Sequence, residues 1–536
     1  MTIKQLLHQT FFILCLLTAL AGFLRLRNIS AFKLYPDSYQ SLIVARNIRD
    51  FGNVSATLGE GGIVEPQFIA WSRPGYPLLI NLLMPLVHND ALSAQIVTFL
   101  AGLLMIPAAY LFISTLYNSK KSGLTAALLT ALLFNLTVWG GFILTETTGI
   151  LFLILFLYSL FKSFKSETSL ANPKDYLTGF LFAAAVMTRY EYIILIIPII
   201  FITFSKSQKP VTRLFNILVF SFFTVSVVAG LLFPLDNILP PIKEQMSYPL
   251  YIALGILGFT LIIGILNKSI PQEIKQKVFR VLRESAQKAP ILIAITLAIL
   301  YLANRSGLLV LSGIWEFAKT DLLLTLAFLI GSRQMTKEKN PDIPLIIFTL
   351  ASITFLGFIY YNVNPLAQRY FTHLLPFLLI PASKATENLK SKALLTILIL
   401  AAILQTGITF NGAKNWQNGD WLMESYEEKS AKILSQKVKD KNTIIVTSFP
   451  AAYFYFTNLT TQGVTDSPPY IYFQTNNRPI LIVEDMAMRD VYPNFTNFLH
   501  KDLKDKKVAE YLVGKTYHYR FNDLNEDRPV VLYKYN

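Results

Sequence analysis

Charge is what this chain is short of. Only 15% of its 536 residues are Asp, Glu, Lys or Arg, while 53% are hydrophobic, and the mean hydropathy is +0.45. Soluble globular proteins carry about 25% charged residues, so a fold that meets water on every side is excluded. Cysteine is nearly absent too. The single Cys15 rules out an internal disulfide and any cysteine-built metal site. Internal repeats and low-complexity linkers are also missing.

What the chain has instead is long apolar runs. LLHQTFFILCLLTALAGFL, LLFNLTVWGGFIL, LFLILFLYSLF and ILIAITLAILYLA each supply most of the roughly 20 residues a helix needs to cross a bilayer. Helices are the form such runs take in hydrocarbon, because a helix satisfies its own backbone. The net charge of +15 would suggest nucleic acid in a soluble protein. Here the basic residues sit in short loops between apolar runs: Lys120-Lys121, Lys206 to Arg213, and Lys268 to Lys288. That is the positive-inside pattern of cytoplasmic loops, with anionic lipid headgroups as secondary contacts, and it argues against a nucleic-acid partner.

Threaded by that rule, the chain is a polytopic α-helical membrane protein with about 13 spans and a cytoplasmic amino terminus. Ala19-Leu20-Ala21 before Gly22 resembles a cleavage site, but the apolar run from Leu6 to Leu26 reads as a retained first helix. A large outside loop follows, residues 28–91. The second span is expected near 92–114 and the third near 123–142. Glu146 then lies in a short outside turn, and Arg189 and Glu191 lie between the fifth and sixth spans. The seventh covers about 214–233 and the last about 393–410. The membrane domain is thus read as residues 1–410. Residues 411–536 are richer in charge, with β-type runs at 443–447, 480–483 and 530–533 and helical stretches at 425–438 and 497–512. They read as a small soluble α/β domain outside the membrane. No GxGxxG or P-loop occurs in it, so it is assigned no nucleotide.

The polar residues expected at the outer face form a short list. Loop 1 carries Pro36-Asp37, Ala45-Arg46-Asn47, Glu65 and Trp71-Ser72-Arg73-Pro74-Gly75-Tyr76-Pro77. Glu146, Arg189, Lys243, Glu244 and Arg369-Tyr370 follow. Singly, each has a structural explanation that outweighs a functional one. Asp37 can cap a helix, Glu146 can be a solvated turn residue, and Arg189 or Arg369 can snorkel to headgroups. Together they place several acids and several bases at one membrane face near helix ends, which is a functional signal by default.

The order of these motifs resembles the GT-C glycosyltransferases, in particular the protein O-mannosyltransferase and aminoarabinose transferase branch. The residues that carry the resemblance are Pro36-Asp37 with Ala45-Arg46-Asn47, Arg73-Pro74-Gly75-Tyr76-Pro77, Thr145-Glu146-Thr147, Thr188-Arg189-Tyr190-Glu191, and Arg369-Tyr370 with Leu375-Pro376. They span residues 1 to about 385; the tail adds little. Asp37 is followed by Ser38 rather than by the second acid common in the mannosyltransferases. No Asp-x-Asp stands in the outside loops, unlike in the metal-using oligosaccharyltransferase branch.

The resemblance implies a metal-independent, inverting enzyme without a cofactor that moves a sugar from a polyprenyl-phosphate donor to an acceptor hydroxyl on protein, lipid or glycan. Asp37 would be the base. Arg369, Arg189 and Lys243 would stabilise the leaving phosphate. Glu146 and Glu65 would orient sugar or acceptor, with Arg73, Trp71 and Tyr76 as further contacts. Two rival readings stand beside it. One is a transporter or flippase without chemistry, disfavoured because charges gather at one face rather than at mid-span. The other is a scaffold whose tail binds envelope components.

Overall fold

The computed structural model describes residues 3–29, 36–52, 63–64, 73–140, 142–166, 172–196, 199–200, 202–203, 207, 209–232, 271, 273, 277, 315, 317–337, 372–387, 392–418, 426–464, 478–485, 488–489, 492–513 and 529–535. In chain order the elements used below are α1 (Ile3–Ile29), α2 (Pro36–Phe51), β1 (Ile63–Val64), α3 (Gly75–Val87), α4 (Asp90–Tyr117), α5 (Lys120–Leu132), α6 (Phe134–Trp139), α7 (Thr145–Ser163) and α8 (Pro173–Thr188). A 3₁₀ turn (Tyr190–Leu195) precedes α9 (Pro210–Leu232) and α10 (Leu322–Lys337). After these come α11 (Leu375–Lys384), α12 (Lys392–Asn418), α13 (Tyr426–Lys437), β2 (Ile444–Val446), α14 (Pro450–Thr457), β3 (Thr461–Gln462), β4 (Ile480–Glu484), α15 (Pro493–Asp502), β5 (Lys507–Leu512) and β6 (Pro529–Lys534).

Five of the described helices carry segments long and apolar enough to cross a membrane: Gln9–Leu26, Asp90–Tyr117, Thr145–Ser163, Pro210–Val228 and Ala393–Asn411. The chain is therefore a multi-pass membrane protein. The spans expected within 233–371, apart from that of α10, lie outside the described residues. Two compact units are present. The first holds residues 1–30, 95–228 and 250–415, and the second 31–94, 229–249 and 416–536.

The first unit is built around α7, whose residues are largely buried. Its close packing uses small side chains, as helix association in lipid requires. A Cβ on Gly331 of α10 would come within 1.8 Å of the Pro381 carbonyl of α11, so only glycine permits that approach. α1 and α12 instead expose Phe11, Phe12, Leu16 and Phe23, and Leu395, Ile399 and Ile403, the surface expected of lipid-facing helices.

One expected span is broken. The apolar run near 123–142 bends at Leu133, whose φ of −64° and ψ of 118° are extended rather than helical, so α5 and α6 are separate. Asp321 fixes the break. It accepts a hydrogen bond from the Phe134 backbone N–H at 2.6 Å and another from the Asn135 side-chain amide at 2.5 Å, taking the role of a helix cap from elsewhere in the chain.

The second unit contains a six-stranded sheet in the order β1-β3-β2-β4-β6-β5. The pairs β1–β3, β3–β2 and β2–β4 are parallel, and β4–β6 and β6–β5 are antiparallel. The β-branched runs Ile444-Ile445-Val446 and Ile480-Leu481-Ile482-Val483 suit a sheet covered on both faces. Ile445 and Val483 join Tyr426 and Tyr453 on one face, while Ile444, Val446 and Ile482 meet Phe495 and Leu499 of α15 on the other. The helix expected over 497–512 is different. α15 starts earlier, at Pro493, and stops at Asp502, and Lys504–Lys506 turns the chain into β5. The alternating Ala509, Tyr511 and Val513 then supply an edge strand on β6.

Glu484, buried at the end of β4, accepts from Arg489 at 2.7 Å, Tyr533 at 2.8 Å and His500 at 3.0 Å. Burial pushes its carboxyl up, but the bonds from Arg489 and Tyr533 and the nearby positive charges hold it below the usual glutamate value. The neighbouring Asp485 moves the opposite way, because burial outweighs its bonds to Ser448, Met488 N–H and Thr447. The stabilisation from Glu484 is therefore complete above the ordinary glutamate pKa of about 4.3 and is lost as pH falls through the lower folded value. Glu484→Gln is expected to cost about 1.5–3 kcal/mol at neutral pH. Denaturant midpoints at pH 7 and near pH 3 should show that gap closing in acid.

Candidate functional site

In the first unit a cluster forms where α7 begins and α8 ends. Glu146 lies in the first turn of α7, where the helix dipole favours an anion. Arg189 is the C-cap of α8, its backbone N–H bonded to Ala185 O at 2.8 Å, at the end that favours a cation. Glu146 is 2% exposed and Arg189 4%. The guanidinium stands between two carboxylates, with Nη1 3.4 Å from Glu146 Oε1 and Nη2 3.5 Å from Glu191 Oε1. Nη1 also donates to the Thr145 hydroxyl at 3.1 Å. These contacts are longer than the 2.7–2.9 Å of tight charge-assisted bonds, so the guanidinium is shared rather than locked to one acid.

Gly149, one turn into α7, makes room for this arrangement. A Cβ there would lie 2.8 Å from Arg189 Cγ and 3.2 Å from the Tyr192 ring. Tyr192 in turn reaches His373, with 2.7 Å between its hydroxyl and Nδ1, and the two rings meet edge to face. His373 belongs to the short turn Thr372–Leu374 ahead of α11. The cluster thus brings two acids, a guanidinium, a phenol and an imidazole to converging helix ends. It can hold a proton, orient hydroxyls and place charge.

Of the residues singled out from the sequence, Glu146 and Arg189 meet here. Glu191 was visible only as part of its motif. Tyr192 and His373 were missed, although each stands within four residues of a motif arginine. Arg369, Lys243, Glu65 and Trp71 lie outside the described residues.

The second unit holds the loop-1 candidates. Asp37 is in the first turn of α2 directly after Pro36, a residue suited to a helix start; its side chain also lies outside the described residues. Arg73 precedes α3 and is partly buried. Tyr76 is fully buried, its hydroxyl donating to Ala94 O at 2.9 Å. A second polar cluster, absent from the sequence reading, centres on Asp90. Arg46 Nε donates to one of its oxygens at 2.6 Å and Tyr455 to the other at 3.1 Å.

Residues 71–232 match the model of the dolichyl-phosphate-mannose-protein mannosyltransferase family. No curated protein matches the chain. Among solved structures, the fold is similar to that of the Archaeoglobus fulgidus oligosaccharyltransferase tethered with an acceptor peptide containing the NVT sequon. The TM-score is 0.58 at 12% identity, over 94% of this chain and 72% of that one. ArnT from Cupriavidus metallidurans aligns over 99% of this chain and 98% of its own, with a TM-score of 0.42 and 10% identity in the apo state and 0.38 and 11% when bound to undecaprenyl phosphate. The family model and the oligosaccharyltransferase fold agree with the GT-C resemblance drawn from the motif order.

Because a single Arg189 is shared by two carboxylates, the cluster is asymmetric. Arg189→Met leaves the buried Glu146 and the half-buried Glu191 without their shared cation, a defect of about 3–5 kcal/mol. Glu146→Gln leaves Arg189 still paired with Glu191 and should cost distinctly less. Thermal unfolding of both variants in detergent checks that order.

Proposed function

We propose that this chain is a membrane glycosyltransferase that moves a sugar from a polyprenyl-phosphate donor to an acceptor hydroxyl, inverting the sugar carbon and using no metal. The observation that carries the reading is the Glu146–Arg189–Glu191 cluster, which falls within the stretch matched by the mannosyltransferase family model. The fold shared with an oligosaccharyltransferase supports the same class. In this reading residues 1–410 form the membrane domain and 411–536 the soluble domain. The protein lies in the plasma membrane with its amino terminus in the cytoplasm. Loop 1 and the tail face outward.

A phosphate is already a competent leaving group, so the chemistry asks for cations around it rather than for a general acid. Arg369 and Lys243 supply them, with Arg189 adding to the same field while its two carboxylate partners fix its direction. Asp37 takes the proton of the acceptor hydroxyl as that oxygen attacks the sugar carbon and the carbon–oxygen bond to phosphate breaks. Glu146 and Glu65 orient sugar or acceptor hydroxyls. Arg73 and Trp71 are further contacts to sugar or acceptor, and Tyr76, fully buried in α3, supports them from beneath rather than touching the sugar.

The test uses full-length protein in detergent and a panel of radiolabelled polyprenyl-phosphate sugars, with and without chelator. Transfer unaffected by chelator is expected. Asp37→Asn should lower it by about 10²–10⁴-fold, the usual contribution of a general base, while insertion is unchanged. Retained turnover in Asp37→Asn would remove Asp37 from the base role. Folded protein that turns over no donor would favour a transporter.

A further inference from the structure

Asp90 is the first residue of the spanning helix α4, yet its carboxylate serves two other segments of the second unit. On one side Arg46 of α2 donates Nε–H to Oδ2 at 2.6 Å. On the other Tyr455 of α14, in the carboxy-terminal tail, donates its hydroxyl to Oδ1 at 3.1 Å. The Ala91 backbone N–H adds a third bond at 2.8 Å. The Arg46 guanidinium also lies over the Tyr455 ring, 4.1 Å from its centre, within cation–π range. One turn of α14 thus meets both the charge and the acceptor of the same pair.

The contact extends along α2 towards its start. Tyr39, 2% exposed, packs its ring 5.6 Å from both Tyr455 and Phe456. Tyr39 is two residues from Asp37. The first three turns of α2 are therefore gripped at both ends by α14, through aromatic edges near Asp37 and through the Arg46–Asp90 pair farther on. Burial and the nearby Asp90 charge raise the Tyr455 hydroxyl well above its ordinary value, so it stays a donor across the physiological range.

We infer that Tyr455 is a positioning residue: through Asp90, Arg46 and Tyr39, the tail sets the placement of the α2 helix that carries Asp37. This rests on the proposed base role of Asp37, and it gives the tail a part in transfer without a substrate site of its own. A helix held in this way keeps the base within the few tenths of an ångström that proton abstraction demands. A tail lost or loosened leaves the membrane helices in place and the base badly aimed.

The experiment compares the full-length chain with Tyr455→Phe and Tyr455→Ala. Amide hydrogen exchange over 36–51, kcat and KM for sugar transfer, and donor binding are read in each. Tyr455→Ala, which loses hydroxyl and ring, should speed exchange over 36–51 by about ten- to a hundredfold, leaving α7 unchanged. It should lower kcat at least tenfold, with the donor Kd unmoved. Tyr455→Phe keeps the ring and should fall between. Unchanged exchange over 36–51 in Tyr455→Ala overturns the inference, as does faster exchange with kcat intact. If Asp37→Asn keeps its turnover while Tyr455→Ala loosens α2 and slows transfer, the tail's hold on α2 stands and the base assignment falls.

Discussion

Hydrocarbon gives no partner to a polar group, so whatever a membrane helix fails to satisfy must be met from within the protein. Much of the first unit follows from that constraint. Arg25, near the end of the first apolar run and in the last turns of α1, is buried with its guanidinium on the carbonyls of Gly102 at 2.7 Å and Thr130 at 3.4 Å. Asp175 and Arg213 pair at 3.2 Å, with Asn216 on the acid and the Ser166 carbonyl on the guanidinium. Asp321 satisfies the backbone where α5 gives way to α6. Each buried charge sits where a helix starts, stops or bends, and the Glu146–Arg189–Glu191 cluster follows the same rule. What sets it apart is that a guanidinium is divided between two acids, an arrangement a purely structural cap does not require.

The apolar runs made the membrane class legible, and several boundaries came within a few residues: α4 against 92–114, α9 against 214–233, and the apolar segment Ala393–Asn411 of α12 against 393–410, although that helix itself continues to Asn418. The β-branched runs of the tail likewise located β2, β4 and β6. The break at Leu133 was not legible, because no glycine or proline marks it; its cause is an aspartate nearly two hundred positions away. The helix expected over 497–512 failed for a related reason. Local composition favours either form there, and pairing with β6 decides for a strand. Such outcomes belong to tertiary structure, which a local window does not contain.

For the candidate site the division is similar. Glu146 and Arg189 were visible as charged residues beside apolar runs, and the sequence suggested that such ends converge. Glu191 stood in the same motif, but nothing local distinguished it from a solvated acid. Tyr192 and His373 look like ordinary interior residues until the fold places phenol against imidazole. Asp90 and Tyr455 are farther out of reach. An aspartate at a helix start is an ordinary cap, and an aromatic in Ala452-Tyr453-Phe454-Tyr455-Phe456 is ordinary core. Only their meeting across the chain shows that Arg46, Asp90 and Tyr455 are one assembly.

The sheet order carries a consequence for biogenesis. β1 comes from the first loop, and among the described residues its neighbour is β3, some four hundred positions later. During synthesis that loop emerges early, with a two-residue strand whose partner has not yet been made. It must wait through every intervening membrane segment until the tail arrives. Contacts of such sequence separation are slow to form, and an unpaired strand edge invites association with other chains in the interval.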